Sequence, residues 1–318
     1  MVPGNSGRTR AALAALRRLA FGALPLRHEI IQAARCAPRL LGESTPLLLS
    51  FVLRKQNADG GFQDRAGRSD LYYTVFGLQS LLALKAPIPV ESVAPYIASF
   101  GDGEGLDFVH LCCLARCRAL LGDMDASLLR TTSIKNMARC IEAHRAGNGG
   151  YHPVPGAAHG TAYAAFLALG AYQDLQIPLP NRRDSANSLR TLATPEGAWA
   201  NECPAKIAST NATAASMAVH GGIAACRAAG RWLLAQAHPL GGFRASPLAP
   251  VPDLLSTATA LHALTSAGFS IASVREPCLD FIDTLWSNEG GFHGHWDDDI
   301  LDVEYAFYGL LALGSLAR

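Results

Sequence analysis

A glycine-glycine-aromatic triplet recurs along the chain, and its spacing limits the fold more than any other feature. It reads Gly60-Gly61-Phe62, Gly149-Gly150-Tyr151, Gly241-Gly242-Phe243 and Gly290-Gly291-Phe292, with a degenerate copy at Gly197-Ala198-Trp199. From Gly149 onward the copies lie 44–49 residues apart. The first interval is about twice as long, and a glycine-rich turn from Gly101 to Gly105 falls in its middle. Six units of one kind therefore fit between about residue 44 and the C-terminus.

Each unit has the same grammar. An amphipathic segment comes first, as in Pro46–Gln56, Arg130–Ala143, Ile223–Ala235 and Ala272–Trp286. The glycine turn and a polar loop follow. A second segment, richer in small and apolar residues, closes the unit, as in Asp70–Leu84, His159–Ala171, Asp253–Ser266 and Asp302–Leu313. Apolar residues recur at i, i+3, i+4 and i+7 in both, which is the helical period, and no strand pairs are expected. The second helices are apolar nearly all round and must be buried on both sides, whereas the first carry a polar face. Six such pairs predict an all-α ring with an inner and an outer barrel: an α/α toroid over residues 44–318, with a helical extension over residues 1–43. Inner helices are expected to start near Asp70, Asp107, His159, Asn211, Asp253 and Asp302, all at one end of the ring.

The repeats also resemble a known family. Phe51-Val52-Leu53-Arg54-Lys55-Gln56 followed by Asp59-Gly60-Gly61-Phe62 is similar to the QW-type repeat of squalene-type cyclases and protein prenyltransferase β subunits. Trp232-Leu233-Leu234-Ala235-Gln236 before Gly241-Gly242-Phe243 is a second copy, and Phe281 to Trp286 before Gly290-Gly291-Phe292 a third. The resemblance implies a central pocket for a hydrophobic isoprenoid. In the prenyltransferases it implies a zinc site of aspartate, cysteine and histidine. Here Asp253 matches the aspartate, but Leu255 and Tyr305 stand at the other two stations, and the basic residues for a diphosphate are replaced by Pro247 and Pro250. In the proton-initiated cyclases it implies a DxDD motif whose middle aspartate is the acid. The fifth unit has Leu255 at that station. The sixth reads Asp302-Val303-Glu304-Tyr305, with Glu304 at the proton-donor station.

Candidate site residues follow. Asp302, Glu304 and Tyr305 are the catalytic candidates. A carboxylic acid beside a second carboxylate in an apolar pocket keeps its proton at higher pH, as an acid catalyst requires. Asp302 is equally suited to capping its helix, as are Asp70 and Asp253. Tyr72, Tyr73, Phe76, Tyr163, Phe166, Phe307 and Tyr308 lie on inner helices, where aromatic faces suit a prenyl chain and can stabilise a carbocation. Core packing accounts for such residues equally well. Asp70, His159 and Asp253 are placed at the pocket mouth, and His262 is read as a satisfied core histidine. Asp297, Asp298 and Asp299 are the only Mg²⁺ candidates; otherwise no cofactor is expected.

Lysine and arginine number 27 against 26 aspartates and glutamates, which gives no footing for nucleic acid. No apolar stretch is long enough and uncharged enough to span a membrane. Five arginines among residues 8–27 could make a peripheral membrane contact, or sit in water on a first helix packed against the body. The eight cysteines contain no CxxC pair and suit a reduced, cytoplasmic setting. Two functions fit: a non-zinc cyclase or transferase acting on a prenyl or terpenoid substrate, or a non-catalytic isoprenoid binder, including a β-like subunit docked on a helical partner subunit. Because leucine cannot ligate zinc and neutral tyrosine is a poor ligand, the purified protein should carry no stoichiometric zinc. Elemental analysis finding one tightly held zinc per chain would refute this.

Overall fold

The computed structural model describes residues 24–125, 133–204, 207–220 and 226–318. Most of the basic stretch over residues 8–27 lies outside them. Two short helices come first, α1 (Leu26–Ala34) and α2 (Pro38–Leu41). Six pairs follow, each an outer helix and then an inner one: α3 (Thr45–Arg54) with α4 (Leu71–Ala83), α5 (Val90–Ala98) with α6 (Phe108–Gly122), and α7 (Ile134–Glu142) with α8 (Ala162–Asp174). The remaining pairs are α9 (Arg182–Thr191) with α10 (Thr210–His220), α11 (Arg227–Leu234) with α12 (Leu254–Ser266), and α13 (Arg275–Thr284) with α14 (Val303–Leu316).

Each inner helix packs on the next, and α14 packs back on α4, so the inner barrel is closed. Burial separates the layers as hydrophobic patterning requires: eleven of the fourteen residues of α14 are buried, against two of the nine in α7. The toroid expected from the repeat is thus the observed fold.

The starts of the inner helices are set by side-chain caps. Asp70, Asp107, Asp253 and Asp302 accept from backbone N–H groups two or three residues on. The third and fourth inner helices depart from the expected starts at His159 and Asn211. Their caps are Thr161, which accepts from Ala164 N, and Ser209, which accepts from Ala212 N. Short hydroxyl side chains are strong N-caps, whereas the histidine falls in the preceding loop.

The glycine turns bring each outer helix back to its inner partner. Gly60, Gly149, Gly197, Gly241 and Gly290 all have positive φ. The aromatic that follows lies against the inner helix of its own unit. Phe62 lies over Gly77 and Phe292 over Gly309, so closely that a Cβ on either glycine would stand 2.3 or 2.4 Å from the ring. Two short antiparallel pairings add strand where none was expected: β1 (Phe62–Gln63) with β2 (Ser69–Asp70), and β3 (Phe243–Arg244) with β4 (Pro252–Asp253). They form because the polar loop folds back and sets the aromatic opposite the capping aspartate, Phe62 to Asp70 and Phe243 to Asp253.

Helix α1 lies across the end of the ring where the inner helices finish. It packs on α14, α4 and α8. Arg27, expected in water, is 3% exposed and pairs with both Asp174 and Asp123. Arg116 of α6 also pairs with Asp174, so one carboxylate holds two guanidinium groups. Leu26 N donates to Gln173 Oε1 and Arg35 Nε to Leu82 O. None of the described helices is long and apolar enough to cross a membrane.

Two glycines with similar backbones separate conformational strain from steric exclusion. At Gly241 φ is +89° and an added Cβ would lie 1.9 Å from Pro277 O; at Gly67 φ is +81° and the space is open. Gly67→Ala should cost about 1 kcal/mol, the left-handed penalty alone. Gly241→Ala should cost roughly 3 kcal/mol or more, because the α13 backbone must also move. Denaturant melts of the two variants test this, and equal losses would contradict it.

Candidate active site

Counting from the caps brings the six inner helices into register. Two residues past each cap stand Tyr72, Val109, Tyr163, Asn211, Leu255 and Glu304; nine past it stand Gln79, Arg116, Gly170, Ala218, His262 and Leu311. At 1.5 Å per residue these two levels are separated by about 10 Å along the ring axis. Between them lies a cavity of about 900 Å³, at the upper end of the range for small-molecule pockets.

The upper part of the cavity is aromatic. Tyr72, Phe76, Tyr163, Phe166, Phe307 and Tyr308 all line it. Phe76 meets Tyr72, Phe307 and Tyr308 at ring-centroid distances of 4.9, 5.9 and 5.4 Å. Tyr163 keeps 40% exposure despite its place on an inner helix because it faces this space. Tyr73 points elsewhere. It is not part of the lining and lies edge-on to Tyr72 at 5.5 Å.

Glu304 stands at the upper edge, behind the lining. The Tyr72 hydroxyl donates to its Oε1 at 2.6 Å. Burial pushes the Glu304 carboxyl up to about 7, and the neighbouring Asp302 charge adds to this; the Tyr72 hydrogen bond and Arg65 oppose it. Asp302 is 2% exposed and fully engaged: it caps Tyr305 N through Oδ1 and accepts Arg65 Nε through Oδ2 at 2.8 Å. The guanidinium of Arg65 also lies over the Tyr305 ring, 5.3 Å from its centroid. Asp302 is the cap and ion-pair partner, and Glu304 is a partly buried carboxyl that accepts from Tyr72 and lies outside the cavity lining.

The other mouth candidates separate. Asp253 is taken up by Ser256, accepting from its N and its Oγ, both at 2.7 Å. Leu255, at the station of the zinc-binding cysteine, lines the cavity instead. His159 lies in the loop, 3.5 Å from Asn148 Nδ2, and is not part of the lining. Asp298 pairs with Arg65 at 2.8 Å, while Asp297 and Asp299 are exposed. Among the described residues no three His, Cys, Asp or Glu side chains gather to hold a metal ion. His262 corrects its reading as a satisfied core residue. It lines the cavity, its Nδ1 has no partner among the described residues, and burial lowers its pKa to about 4.

Two groups at the mouth were not anticipated from the sequence. Arg65, in the polar loop of the first unit, reaches the sixth unit at Asp298 and Asp302 and bridges the seam of the ring. His110 joins two caps: its Nδ1 lies 2.7 Å from Asp107 Oδ2 and its Nε2 3.0 Å from Asp70 Oδ2. Asp70 is thus part of a carboxylate–imidazole–carboxylate chain. Repetition offered a signal for this, since every cap is a hydrogen-bond acceptor and His110 sits three residues past one.

The hydrogen bond to Asp70 raises the His110 pKa to about 9, with Asp107 adding to the shift and burial opposing it. A histidine whose folded pKa is raised contributes stability that is fully present below about 6.5 and is lost as pH rises through about 9. An NMR titration should place the His110 midpoint near 9, and His110→Leu should flatten the fall in stability between those pH values. A midpoint at the ordinary histidine value would overturn this assignment.

A family model, the prenyltransferase α/α toroid domain, matches residues 44–101 and 222–316, the first and the last units of the ring. Comparison with curated proteins gave no match. Among solved structures the chain is similar to type II terpene cyclase MstE from Scytonema, at 14% identity and a TM-score of 0.56, over 87% of this chain and 97% of that one. It is similar to Candida albicans protein geranylgeranyltransferase-I complexed with GGPP, at 15% identity and a TM-score of 0.58, over 80% of this chain and 89% of that one. It is also similar to the α-1,6-mannanase GH76A of Salegentibacter sp., at 13% identity and a TM-score of 0.59, over 87% of this chain and 98% of that one. At these identities the likeness is one of fold, and a sugar hydrolase among the neighbours shows that the fold does not fix the chemistry. The matched repeats and the closed double ring together show that the chain has the α/α toroid fold.

Proposed function

We propose that this toroid is an enzyme that binds a prenyl or terpenoid substrate in its central cavity and starts its reaction by proton transfer, without zinc. The observation that carries the reading is the Glu304–Tyr72 pair above an aromatic cavity. With its pKa near 7, Glu304 holds its proton through the acidic and near-neutral range. One carboxyl oxygen accepts from Tyr72, which fixes the group and leaves the other oxygen to carry the acidic hydrogen. The Tyr72 ring lines the cavity, and its hydroxyl, by donating to Glu304, holds the acid at the cavity's upper edge.

Protonation of a terminal alkene forms a C–H bond and leaves a carbocation. An internal double bond then closes on that cation, and the last cation ends by losing a proton or taking up water. Phe76, Tyr163, Phe307 and Tyr308 line the cavity, and aromatic faces stabilise positive charge, which supports the passage of a cation along the chain. Likeness to a terpene cyclase and to a geranylgeranyltransferase complexed with GGPP supports an isoprenoid as the ligand class.

A second reading is a carrier that keeps the pocket and performs no reaction, alone or as a subunit beside a helical partner. Leu255 and Tyr305 at the former ligand stations favour it. Glu304→Gln separates the two readings, since it keeps shape and removes the acidic proton. On the enzyme reading, turnover of a prenyl diphosphate and prenyl alcohol panel should fall by about 100-fold or more, with binding nearly unchanged because the apolar walls supply most of the affinity. Wild-type turnover should decline as pH rises through about 7, as Glu304 loses its proton. Product analysis by mass spectrometry decides: a fully active Glu304→Gln removes the acid role, and no product from wild type favours the carrier.

A further inference from the structure

The seam where the sixth unit meets the first is closed differently from the three junctions before it. There the inner helix ties to the next unit through backbone: Ala162 N donates to Asn201 O, Thr210 N to Ala245 O and Leu254 N to Gly294 O, each acceptor two residues past its aromatic. At the seam a side chain makes the tie. Arg65 Nε donates to Asp302 Oδ2 at 2.8 Å, and Nη1 and Nη2 donate to the two oxygens of Asp298 at 3.2 and 2.8 Å. The loop that carries Arg65 is held in shape for this reach, because Asp64 Oδ1 accepts from Ala66 N and Arg68 N, both at 2.8 Å. Asp298 is fixed from its own side by Gly294 N and Ile300 N, both at 3.2 Å.

Asp302 and Glu304 are two carboxyls at the start of α14, and burial raises both. Neighbouring buried carboxyls do not both ionise near neutral pH unless a cation compensates one of them. Arg65 does so for Asp302, whereas Glu304 accepts from the neutral Tyr72 hydroxyl. The other titratable groups that face Glu304 are Tyr73, Tyr163, Tyr305 and Tyr308, all kept neutral because burial raises them above the ordinary tyrosine range. The charges to which Glu304 responds are therefore those of Asp302 and Arg65.

We propose that Arg65 is a positioning residue of the acid site: by holding Asp302 ionised, it assigns the one proton of the carboxyl pair to Glu304. Arg65 is not part of the cavity lining and acts through Asp302. This role rests on the reading of Glu304 as the acid and names the group that keeps the proton on it. Without the guanidinium, Asp302 is 2% exposed with a backbone N–H and no counter-charge, and it takes up a proton itself. The mouth then holds two protons in place of one.

Isotope-edited infrared spectroscopy of the full-length protein tests this. With the aspartate carboxyls isotopically labelled, aspartic and glutamic acid groups absorb at separate frequencies. At about pH 6, below the Glu304 value of about 7, wild type should show a glutamic acid band that Glu304→Gln removes. The difference between Arg65→Leu and wild type should contain one new aspartic acid band, and adding Asp302→Asn to Arg65→Leu should abolish it. Asp253, also raised by burial, is common to both proteins and cancels. A role confined to tying the loops would shift the thermal melt and add no band. A folded Arg65→Leu that gains no aspartic acid band overturns the assignment. Should that variant fail to fold, the wild-type titration decides: Asp302, identified by the band that Asp302→Asn removes, must lose its proton at lower pH than Glu304, and the reverse order overturns the assignment. None of these bands depends on turnover, so an active Glu304→Gln would remove the acid role and leave the charge assignment standing.

Discussion

The contact on which the ring depends is an aromatic ring laid on a glycine. Phe62 covers Gly77 and Phe292 covers Gly309 at distances that admit no side chain. Seven residues past the other caps the inner helices carry Ala168, Ser216 and Ala260, again small. The second unit lacks the aromatic, and there the same position is Leu114, fully buried. The space is thus filled once per unit, from the turn or from the helix, as close packing demands. Three units add a hydrogen bond at this junction: Phe62 N, Trp199 N and Phe243 N donate to Thr74, Thr213 and Thr257, each four residues past its cap. The wedge fixes the height of each inner helix against its turn, and so brings the caps, and the residues counted from them, to one level.

From that registration follows a cavity whose two ends differ in character. At the cap end, ion pairs join units that are distant in sequence, with Arg65 tying the first unit to Asp298 and Asp302 of the last. Burial raises the carboxyls of both Asp302 and Glu304, but Asp302 is shared between a backbone N–H and a guanidinium, whereas Glu304 accepts from the Tyr72 hydroxyl and is pushed up to about 7. That difference sets Asp302 apart from Glu304, two residues along the same helix. At the other end the chain Arg116–Asp174–Arg27–Asp123 balances its own charge and anchors α1 over the cavity.

The architecture was legible because a period of fixed length and an apolar second helix leave few folds open. The caps were legible at Asp70, Asp107, Asp253 and Asp302, where aspartate precedes an apolar run. They were misplaced at His159 and Asn211, because Thr161 and Ser209 are quieter signals than a histidine or an asparagine. The site was legible only in part. Glu304 could be picked out by its place in a motif. Arg65 and Arg116 could not, since their partners lie 233 and 58 residues away and no local pattern links them. His262 was misjudged because helical periodicity marks a face as interior without telling core from cavity.

Helix α1 precedes in sequence every element that it rests on. Its anchors are Leu82, Asp123, Gln173 and Asp174, and Gly314 leaves the room that the Ala33 backbone occupies. Those partners come from the first, second, third and sixth inner helices. The N-terminal segment can therefore dock only when the last helix is in place, contacts of very long sequence separation that close late. The chamber gains its base only once the sixth inner helix is in place, and a half-assembled ring is left open below.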